Sequence, residues 1–197
     1  MKLVLATSNK GKLREIREYC TEFEVVPFSS VIDAFEIEEN GASFQENAII
    51  KAQAVYDAIG DENVIVLSDD SGISIDALGG RPGIYSARFA GENSSDKDNL
   101  AKALQELKKL ELKESNAHYT AAMAIASKHG IQSVHGWMYG KVIATARGEN
   151  GFGYDPMFIP EGFDKTLGEL QSDVKKSLSH RFKALQLALV LLKSIKL

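Results

Sequence analysis

The sequence predicts an α/β fold built around a mixed β-sheet. Apolar strand-like runs alternate with helical patterns in the first half of the chain, which favours parallel pairing. A later stretch has the pattern of a β-meander, which favours antiparallel pairing. With 197 residues, 44% of them hydrophobic, the chain suits a single domain over residues 1–197, and its core has room to divide into two lobes.

The chain opens with a predicted strand, helix and strand. "KLVLA" (2–6) is apolar enough for a short buried strand, and "GKLREIREYC" (11–20) carries apolar side chains at helical spacing. "EVVPFSS" (24–30) predicts a strand that Pro27 interrupts, because proline cannot donate a hydrogen bond to the neighbouring strand.

The second helix has a recognisable start and end. Ser43 and Glu46 form an S-x-x-E capping box, in which the serine side chain accepts from the first helical turn. The helix extends across "FQENAIIKAQAVYDAIG" (44–60) and is expected to end at its last glycine. The apolar run "NVIVL" (63–67) then predicts a strand that ends at the acidic pair Asp69–Asp70.

Glycine-rich loops separate the remaining predicted elements. The first loop covers residues 79–91, and a charged amphipathic helix follows over about 95–110. Residues 118–146 have the pattern of the meander. After a second glycine-rich loop at 148–160 and a short apolar strand, the chain closes on a helix from about Ser179.

Charge and composition exclude several classes of partner. Lys and Arg total 23 against 27 acidic residues, a formal net charge of −4, which argues against a general electrostatic grip on nucleic acid or an anionic membrane. Cys20 is the only cysteine, which excludes an intrachain disulfide and a cysteine zinc site. The longest apolar run near the end, "LALVLL" (187–192), is too short to span a membrane, and the opening residues are too short for a signal peptide. We therefore expect a soluble cytoplasmic protein without nucleic-acid or membrane partners.

The loop "ATSNKGK" (6–12), between the first strand and its helix, is a candidate anion site. Backbone N–H groups and the helix dipole favour an anion there, and Lys10 and Lys12 would oppose the dipole unless an anion were bound. The segment matches neither G-x-x-x-x-G-K-S/T nor G-x-G-x-x-G, and an ordinary lysine-bearing helix start explains it equally well. The side chains that could also donate to an anion are those of Thr7, Ser8 and Asn9.

Two acidic pairs, Glu38–Glu39 and Asp69–Asp70, are candidates for holding a metal ion. Mg²⁺ prefers oxygen ligands and is commonly held by one or two carboxylates together with substrate phosphates. Neighbouring side chains of an extended segment point to opposite faces, so one residue of each pair is expected to face the site. For Glu38–Glu39 taken alone, the favoured interpretation is a pair of solvated loop acids. A strand's carboxyl end, where open α/β sheets bind ligands, favours a functional interpretation of Asp69–Asp70.

The loop "GFGYDP" (151–156) is a candidate base-stacking platform. Its glycines frame Phe152 and Tyr154, whose rings could stack on a nucleobase if they are exposed. The alternative is a hairpin that tucks both aromatics inward. The sequence leaves both interpretations open.

The segment "KKSLSHR" (175–181) has an unusual placement of positive charge. With Ser179 as N-cap, His180 and Arg181 fall in the first helical turn, where the helix dipole disfavours cations. Either the helix begins earlier, near Ser172–Asp173, or these cations face a negative or carbonyl-bearing ligand.

Together these segments resemble the inosine triphosphate pyrophosphatase family, also called the HAM1-like family of non-canonical purine nucleoside triphosphatases. Each motif is weak alone, but five in family order and spacing are specific and cover essentially the whole chain. One departure is Ser8, where many members have glycine. The matching segments are "TSNKGK" (7–12), "EENGASFQENAIIKA" (38–52), "SDDSGISIDALGGRPGIYSARFAG" (68–91), "GFGYDP" (151–156) and "KSLSHR" (176–181).

The resemblance implies Mg²⁺-dependent hydrolysis of ITP, dITP and XTP to the nucleoside monophosphate and pyrophosphate, which would cleanse the nucleotide pool. It also implies a long curved mixed sheet flanked by helices, an active-site cleft between two lobes, and a homodimer. By the resemblance, Asp70 is the proton acceptor and a metal ligand, Glu38 is favoured over Glu39 as the second ligand, and Ser71 contacts substrate. Lys51 and Arg88 are second-rank candidates in or near the phosphate site. The remaining implied contacts are Thr7, Ser8, Asn9, Lys10, Gly11 and Lys12 for the triphosphate, and Phe152, Gly153, Tyr154, Asp155, Lys176, His180 and Arg181 for the nucleoside.

The residues also bear on three rival functions. A haloacid-dehalogenase-like phosphatase needs D-x-D-x-T/V, and Ser71 stands where the second aspartate would be. A Maf-type pyrophosphatase acting on other modified nucleotides is chemically closer. A nucleotide sensor without turnover is disfavoured, because a full set of acids is present beside the lysines of the 6–12 loop.

Overall fold

The structure is a computed structural model that describes residues 2–7 and 9–195, without the side chains of Lys10 and Glu15. Its described residues form a mixed six-stranded sheet, which is the framework of the protein. The strand order is β2-β1-β3-β4-β5-β6. Strand β1 pairs in parallel with β2 and β3, and β5 pairs antiparallel with β6. This confirms the predicted α/β class and mixed sheet. The strands are β1 (Lys2–Leu5), β2 (Glu24–Pro27), β3 (Ile65–Ile75), β4 (Glu114–Ser127), β5 (Gly130–Ile143) and β6 (Phe158–Pro160).

The helices begin and end largely where their capping residues predict. Ser43 accepts from the N–H of Glu46, and Gly60 ends that helix with a positive φ of 66°. The Glu46 carboxylate reaches back to the N–H of Ala42 (2.6 Å), one residue before the position of an ideal capping box. The α-helices in the described part of the chain are α1 (Lys10–Tyr19), α2 (Phe44–Ile59), α3 (Asp96–Lys109), α4 (Ser172–Leu178) and α5 (His180–Ser194).

Strand β3 is longer than predicted. We expected it to end at the acidic pair, but it continues through Asp69 and Asp70 to Ile75. Ile73 and Ile75 are fully buried, and the N–H of Ile73 donates to Ser86 Oγ (2.9 Å). Burying both isoleucines keeps the backbone extended past the pair, which therefore lies within the strand.

The C-terminal helix is also different from the single element predicted from Ser179. Helix α4 begins at Ser172 and α5 begins at His180. Ser179 separates them with an extended ψ of 128°, and its Oγ accepts from the N–H of Phe182 (3.4 Å). The sequence left two helix starts open, one at Ser179 and one near Ser172. Both occur, because α4 begins at Ser172 and α5 begins directly after Ser179.

The chain divides into two compact units, in agreement with the two predicted lobes. Unit 1 comprises residues 1–70, 121–136 and 183–197, and unit 2 comprises 71–120 and 137–182. None of the helices among the residues that the structure describes is long and apolar enough to cross a membrane.

The residues of unit 1 that the structure describes form two hydrophobic clusters, because side chains alternate along its strands. Leu5 of β1 packs with Ile16 of α1 and Leu185 of α5, whereas Val4 packs with Ala52 of α2. Both faces of the sheet in this unit are thus covered by helices, which explains why its strands are almost continuously apolar.

Unit 2 has one hydrophobic cluster. It joins Ile73 of β3, Leu107 of α3, Tyr119 of β4 and Phe158 of β6, and it also includes Tyr154 from the 151–156 loop. The aromatic loop is therefore anchored in the core of its own unit.

The single cysteine lies in the core of unit 1. Cys20 is 1% exposed and packs in the same cluster as Leu5 and Ile16. Burial raises the pKa of its thiol to about 11, because the thiolate loses its hydration there.

Candidate active site

Asp70 lies at the centre of a polar network in unit 1. Asn47 Nδ2 donates to Asp70 Oδ2 (3.2 Å), and Lys51 Nζ lies 3.4 Å from Asp70 Oδ1. Helix α2 presents Asn47 and Lys51 together because they are one turn apart. Lys51 Nζ also lies 2.7 Å from Glu39 Oε2, so one ammonium bridges two carboxylates.

Burial sets the protonation behaviour of this network. It raises the pKa of Asp70, and the nearby Glu39 carboxylate adds to that effect, while the Lys51 ammonium and the Asn47 hydrogen bond oppose it. Burial alone would lower the pKa of Lys51, but the carboxylates of Asp70 and Glu39 outweigh burial and raise it. Burial disfavours the charged form of the Asp70 carboxylate, and such a carboxylate is suited to accept a proton or to bind a cation.

The neighbour of Asp70 faces a different environment. Asp69 is 3% exposed, and its Oδ2 lies 2.9 Å from Lys12 Nζ. The two aspartates have different cationic neighbours because successive side chains of a strand point to opposite faces.

Between the two neighbouring glutamates, the structure brings Glu39 rather than Glu38 to the Asp70 network. Glu39 is half-buried against Lys51, whereas Glu38 is exposed. Among the side chains that the structure describes, no three His, Cys, Asp or Glu residues lie close enough together to hold a metal ion. Glu38 as a metal ligand stays a prediction.

The 6–12 loop is organised by Asn9. Its Oδ1 accepts from the N–H groups of Gly11 (2.8 Å) and Lys12 (3.1 Å), and its own N–H donates to Thr7 Oγ1 (3.2 Å). Asn9 is thus the N-cap of α1, and an incoming phosphate would replace its side chain on those donors. Ser8 and the Lys10 side chain lie outside the described residues, so their predicted contacts are not tested.

The loop at residues 151–156 in unit 2 exposes one aromatic ring and buries the other. Phe152 is 61% exposed, whereas Tyr154 is 5% exposed. The Tyr154 hydroxyl donates to the backbone oxygen of Ser86 (2.8 Å). Of the two interpretations that the sequence left open, exposure therefore applies to Phe152 and the inward position to Tyr154, whose ring is part of the core and whose hydroxyl is satisfied there. The predicted nucleoside contact of Tyr154 is not tested.

A buried carboxylate holds this loop in shape. Asp155 accepts from the N–H of Phe152 (2.8 Å) and forms an ion pair with the Lys175 ammonium. Burial raises the pKa of Asp155, and Lys175 opposes that shift. The Gly153 N–H donates to Asp96 Oδ2 (3.1 Å) at the start of α3. The loop is thereby fixed on both sides of its exposed ring.

Lys175 is a contact of this loop that sequence reasoning missed, since it pointed to Lys176. The ammonium of Lys175 lies 4.6 Å from the ring centroid of Phe152, in addition to its ion pair with Asp155. Adjacent helical residues point about 100° apart, so one of the two lysines faces the loop. Leu178 packs against the core of unit 2, and its i−3 neighbour is Lys175, a signal that could have pointed to Lys175 as a contact of the loop. The predicted role of Lys176 is not tested.

The start of α5 brings predicted substrate residues together in unit 2. An Nη atom of Arg181 donates to Ser71 Oγ (3.1 Å), and Arg181 is only 8% exposed. His180 lies parallel to the ring of Tyr119, with 4.8 Å between ring centroids. Arg88, a second-rank candidate, lies over the ring of Tyr85. Unit 2 therefore offers an exposed aromatic ring and a buried guanidinium, a set suited to a nucleobase.

Comparisons with known proteins support the sequence resemblance. The Ham1 family model matches residues 3–190. The chain is 60% identical over 195 residues to a dITP/XTP pyrophosphatase of Nautilia profundicola, which covers 99% of each chain. It is 56% identical to a dITP/XTP pyrophosphatase of Sulfurimonas denitrificans, over 99% of this chain and 100% of that one. The structure of the Staphylococcus aureus Ham1 protein superposes with a TM-score of 0.90 at 36% identity, over 100% of both chains.

Proposed function

The chain belongs to the Ham1 family, and on that basis we propose that it is a dITP/XTP pyrophosphatase. It hydrolyses dITP, XTP and ITP to the nucleoside monophosphate and pyrophosphate. Identity of 60% across 99% of a relative so named supports this activity. The observation in the structure that carries it is the Asp70 carboxylate, held between Asn47 and Lys51 with its pKa raised by burial.

Asp70 acts as the proton acceptor for the attacking water. A general base works best when its pKa lies near the working pH, and burial moves the pKa of Asp70 in that direction. The Asn47 amide donates to Asp70 Oδ2 (3.2 Å), and the Lys51 ammonium lies 3.4 Å from Oδ1. Each carboxylate oxygen has a second lone pair, which would orient water. Lys51, with its pKa raised by two carboxylates, stays charged and offsets repulsion between Asp70 and an anionic substrate.

The donor set fits Mg²⁺. Asp70 and one carboxylate of the 38–39 pair provide two oxygen ligands, which is enough when substrate phosphates supply others. The resemblance implies Glu38 for the second ligand, whereas the contact of Glu39 with Lys51 favours Glu39. When bound, the ion would neutralise phosphate charge and polarise the scissile bond. The ammonium of Lys51 lies between the carboxylates of Glu39 and Asp70, which supports a cation site there.

Substrate contacts divide between two sets of residues. The 7–12 loop of unit 1 is proposed to bind the triphosphate, where phosphate oxygens would replace Asn9 Oδ1 on the N–H groups of Gly11 and Lys12. In unit 2, Phe152 is proposed to stack on the base, and its ring is the exposed aromatic surface of the loop. Gly153, Asp155, Lys176, His180 and Arg181 complete the nucleoside contacts, with Lys175 added by its position beside Phe152.

Base selection is proposed to depend on Arg181. A guanidinium only donates hydrogen bonds, so it would favour the 6-oxo group of hypoxanthine or xanthine over the 6-amino group of adenine. Burial of Arg181 supports this role, because unpaired buried donors penalise the wrong base strongly. Ser71 Oγ, which now accepts from Arg181 (3.1 Å), would share that donor with the substrate.

The assembly and its setting follow from the family resemblance. We propose that residues 1–197 act as one functional domain, as a homodimer in the cytoplasm, where the nucleotide pool lies. Trp137 and Tyr139 on β5 are 42% and 57% exposed on either side of the buried Met138. A pair of exposed aromatics on one strand face supports a partner surface.

The experiment that tests this function identifies the bond that is cleaved. The protein is incubated with Mg²⁺ and, separately, dITP, XTP, dGTP and dATP, and pyrophosphate and orthophosphate are measured independently. We expect pyrophosphate and monophosphate from dITP and XTP. Stepwise release of orthophosphate through a diphosphate would instead identify a phosphatase.

A further inference from the structure

Tyr119 holds the ring of His180 in a fixed plane. The two rings are nearly parallel, with an interplanar angle of 14° and 4.8 Å between centroids. On the same tyrosine ring, Phe158 makes an edge contact at 62° and 4.9 Å. Phe158 is fully buried and Tyr119 is 8% exposed, so the surface on which His180 rests is itself immobile.

The same tyrosine packs with the aromatic loop, because Tyr119 and Tyr154 belong to one hydrophobic cluster. Burial raises the pKa of Tyr119 well above its ordinary value. The tyrosine is therefore neutral under physiological conditions. One residue of β4 thus stacks on His180 at the start of α5 and shares a hydrophobic cluster with Tyr154 of the 152–155 loop.

We infer that Tyr119 is a positioning residue, which fixes the imidazole plane of His180 for binding of the nucleoside. The inference rests on the proposed function, in which His180 contacts the nucleoside. Fixing a side chain before the ligand arrives removes an ordering cost from binding. Without the stack, the imidazole loses one of the contacts that fix its plane, and affinity for the nucleoside falls.

Substitution of the ring tests this role. We expect Tyr119→Leu to raise KM for dITP roughly three- to tenfold, the range for one immobilised side chain, while kcat stays within about twofold because only uniform binding is lost. Tyr119→Phe keeps the stack and should restore most of the affinity. Binding of dIMP should weaken in Tyr119→Leu by the same factor, whereas binding of pyrophosphate should not change.

A matched control separates positioning from general loss of stability. Leu107 is fully buried in the same hydrophobic cluster, and Leu107→Ala should lower Tm by at least as much as Tyr119→Leu. In proton NMR spectra, the ring-current shift of His180 should be kept in Tyr119→Phe and lost in Tyr119→Leu.

The outcomes distinguish the two proposals. If Tyr119→Leu lowers Tm but leaves KM for dITP and dIMP binding unchanged, or if Leu107→Ala raises KM equally, Tyr119 has only a structural role and the inference fails. Unchanged His180 shifts in Tyr119→Leu would overturn it as well. If the wild-type protein does not hydrolyse dITP, the proposed function fails instead, and dIMP binding by the variants still decides the role of Tyr119.

Discussion

At the residue scale, the different neighbours of Asp69 and Asp70 predict unequal effects of the same substitution. Asp70→Asn removes the proposed base and should lower kcat for dITP by about 10²–10⁴-fold. Asp69→Asn loses the ion pair with Lys12, 2.9 Å long, and should cost less. Steady-state kinetics at saturating Mg²⁺ measures both. If Asp69→Asn proved the more damaging change, the assignment of the catalytic carboxylate would be reversed.

Arg181 is the residue for which specificity can be separated from activity. Arg181→Ala should erode the preference for ITP over ATP by about 1–3 kcal/mol in kcat/KM, the size of one hydrogen bond to a charged group. Arg88→Ala serves as the control, since that guanidinium lies over Tyr85 and should leave the ratio unchanged. An equal loss for both nucleotides in Arg181→Ala would make Arg181 a phosphate or structural residue.

Single residues of the site were predictable where one chemical rule sufficed. Strand alternation predicts that one of Asp69 and Asp70 faces away from the site, and the two aspartates do have different partners. The bridge from Lys51 to Glu39 was not predictable, because it depends on how residues 38–43 fold back on α2. The same limit explains Tyr154, whose burial depends on a hydrogen-bond acceptor 68 positions away.

At the scale of the elements, local signals predicted the starts of helices and missed how far a strand extends. Ser43 and Gly60 bound α2 as expected because a cap and a left-handed glycine act within a few residues. Strand β3 continues past its acidic pair because of burial farther along the chain, at Ile73 and Ile75. The alternation of Ile73 and Ile75 with Gly72 and Ser74 is the local signal that could have extended the predicted strand.

Two glycines of the 151–156 loop, Gly151 and Gly153, should differ in how much an alanine substitution destabilises the protein. Gly151 has a φ of +86°, and a Cβ there would collide with the Asp155 carboxylate and lie 2.7 Å from Lys175 Nζ. Gly151→Ala should therefore lower the free energy of unfolding by roughly 2–4 kcal/mol. Gly153 also has a positive φ of +60° but nothing within 4 Å of a Cβ, so Gly153→Ala should cost only about 1–2 kcal/mol. Urea denaturation compares the two, and equal losses would show that the Asp155 contact is not a constraint.

For the whole molecule, the fold class and the presence of two lobes were predictable, and the boundaries between the two units were not. Strands that alternate with helices predict parallel pairing, and the later meander predicts antiparallel pairing, so together they predict a mixed sheet. The boundaries at 70/71, 120/121, 136/137 and 182/183, however, fall inside β3, β4, β5 and α5. Continuous secondary structure carries no change of composition that would mark a linker, so the sequence contains no local sign of these boundaries.

The proposed homodimer is the prediction that belongs to the whole molecule. Sedimentation equilibrium should give about twice the chain mass, and Tyr139→Lys should shift the protein toward monomer, because burying an unpaired charge in an interface is costly. Leu187 is 50% exposed on α5, and Leu187→Lys is the matched control that should leave the mass unchanged. A monomer at every concentration would contradict the dimer, and a dimer insensitive to Tyr139→Lys would move its interface elsewhere.

The buried thiol makes the protein convenient for site-specific fluorescence. Cys20 is 1% exposed with a pKa of about 11, and thiolate is the form that reacts with maleimides. The native chain should therefore stay unlabelled at neutral pH. A cysteine introduced at an exposed position such as Glu92 would then carry a single dye, and the signal of that dye during turnover could be assigned to one position without first removing Cys20.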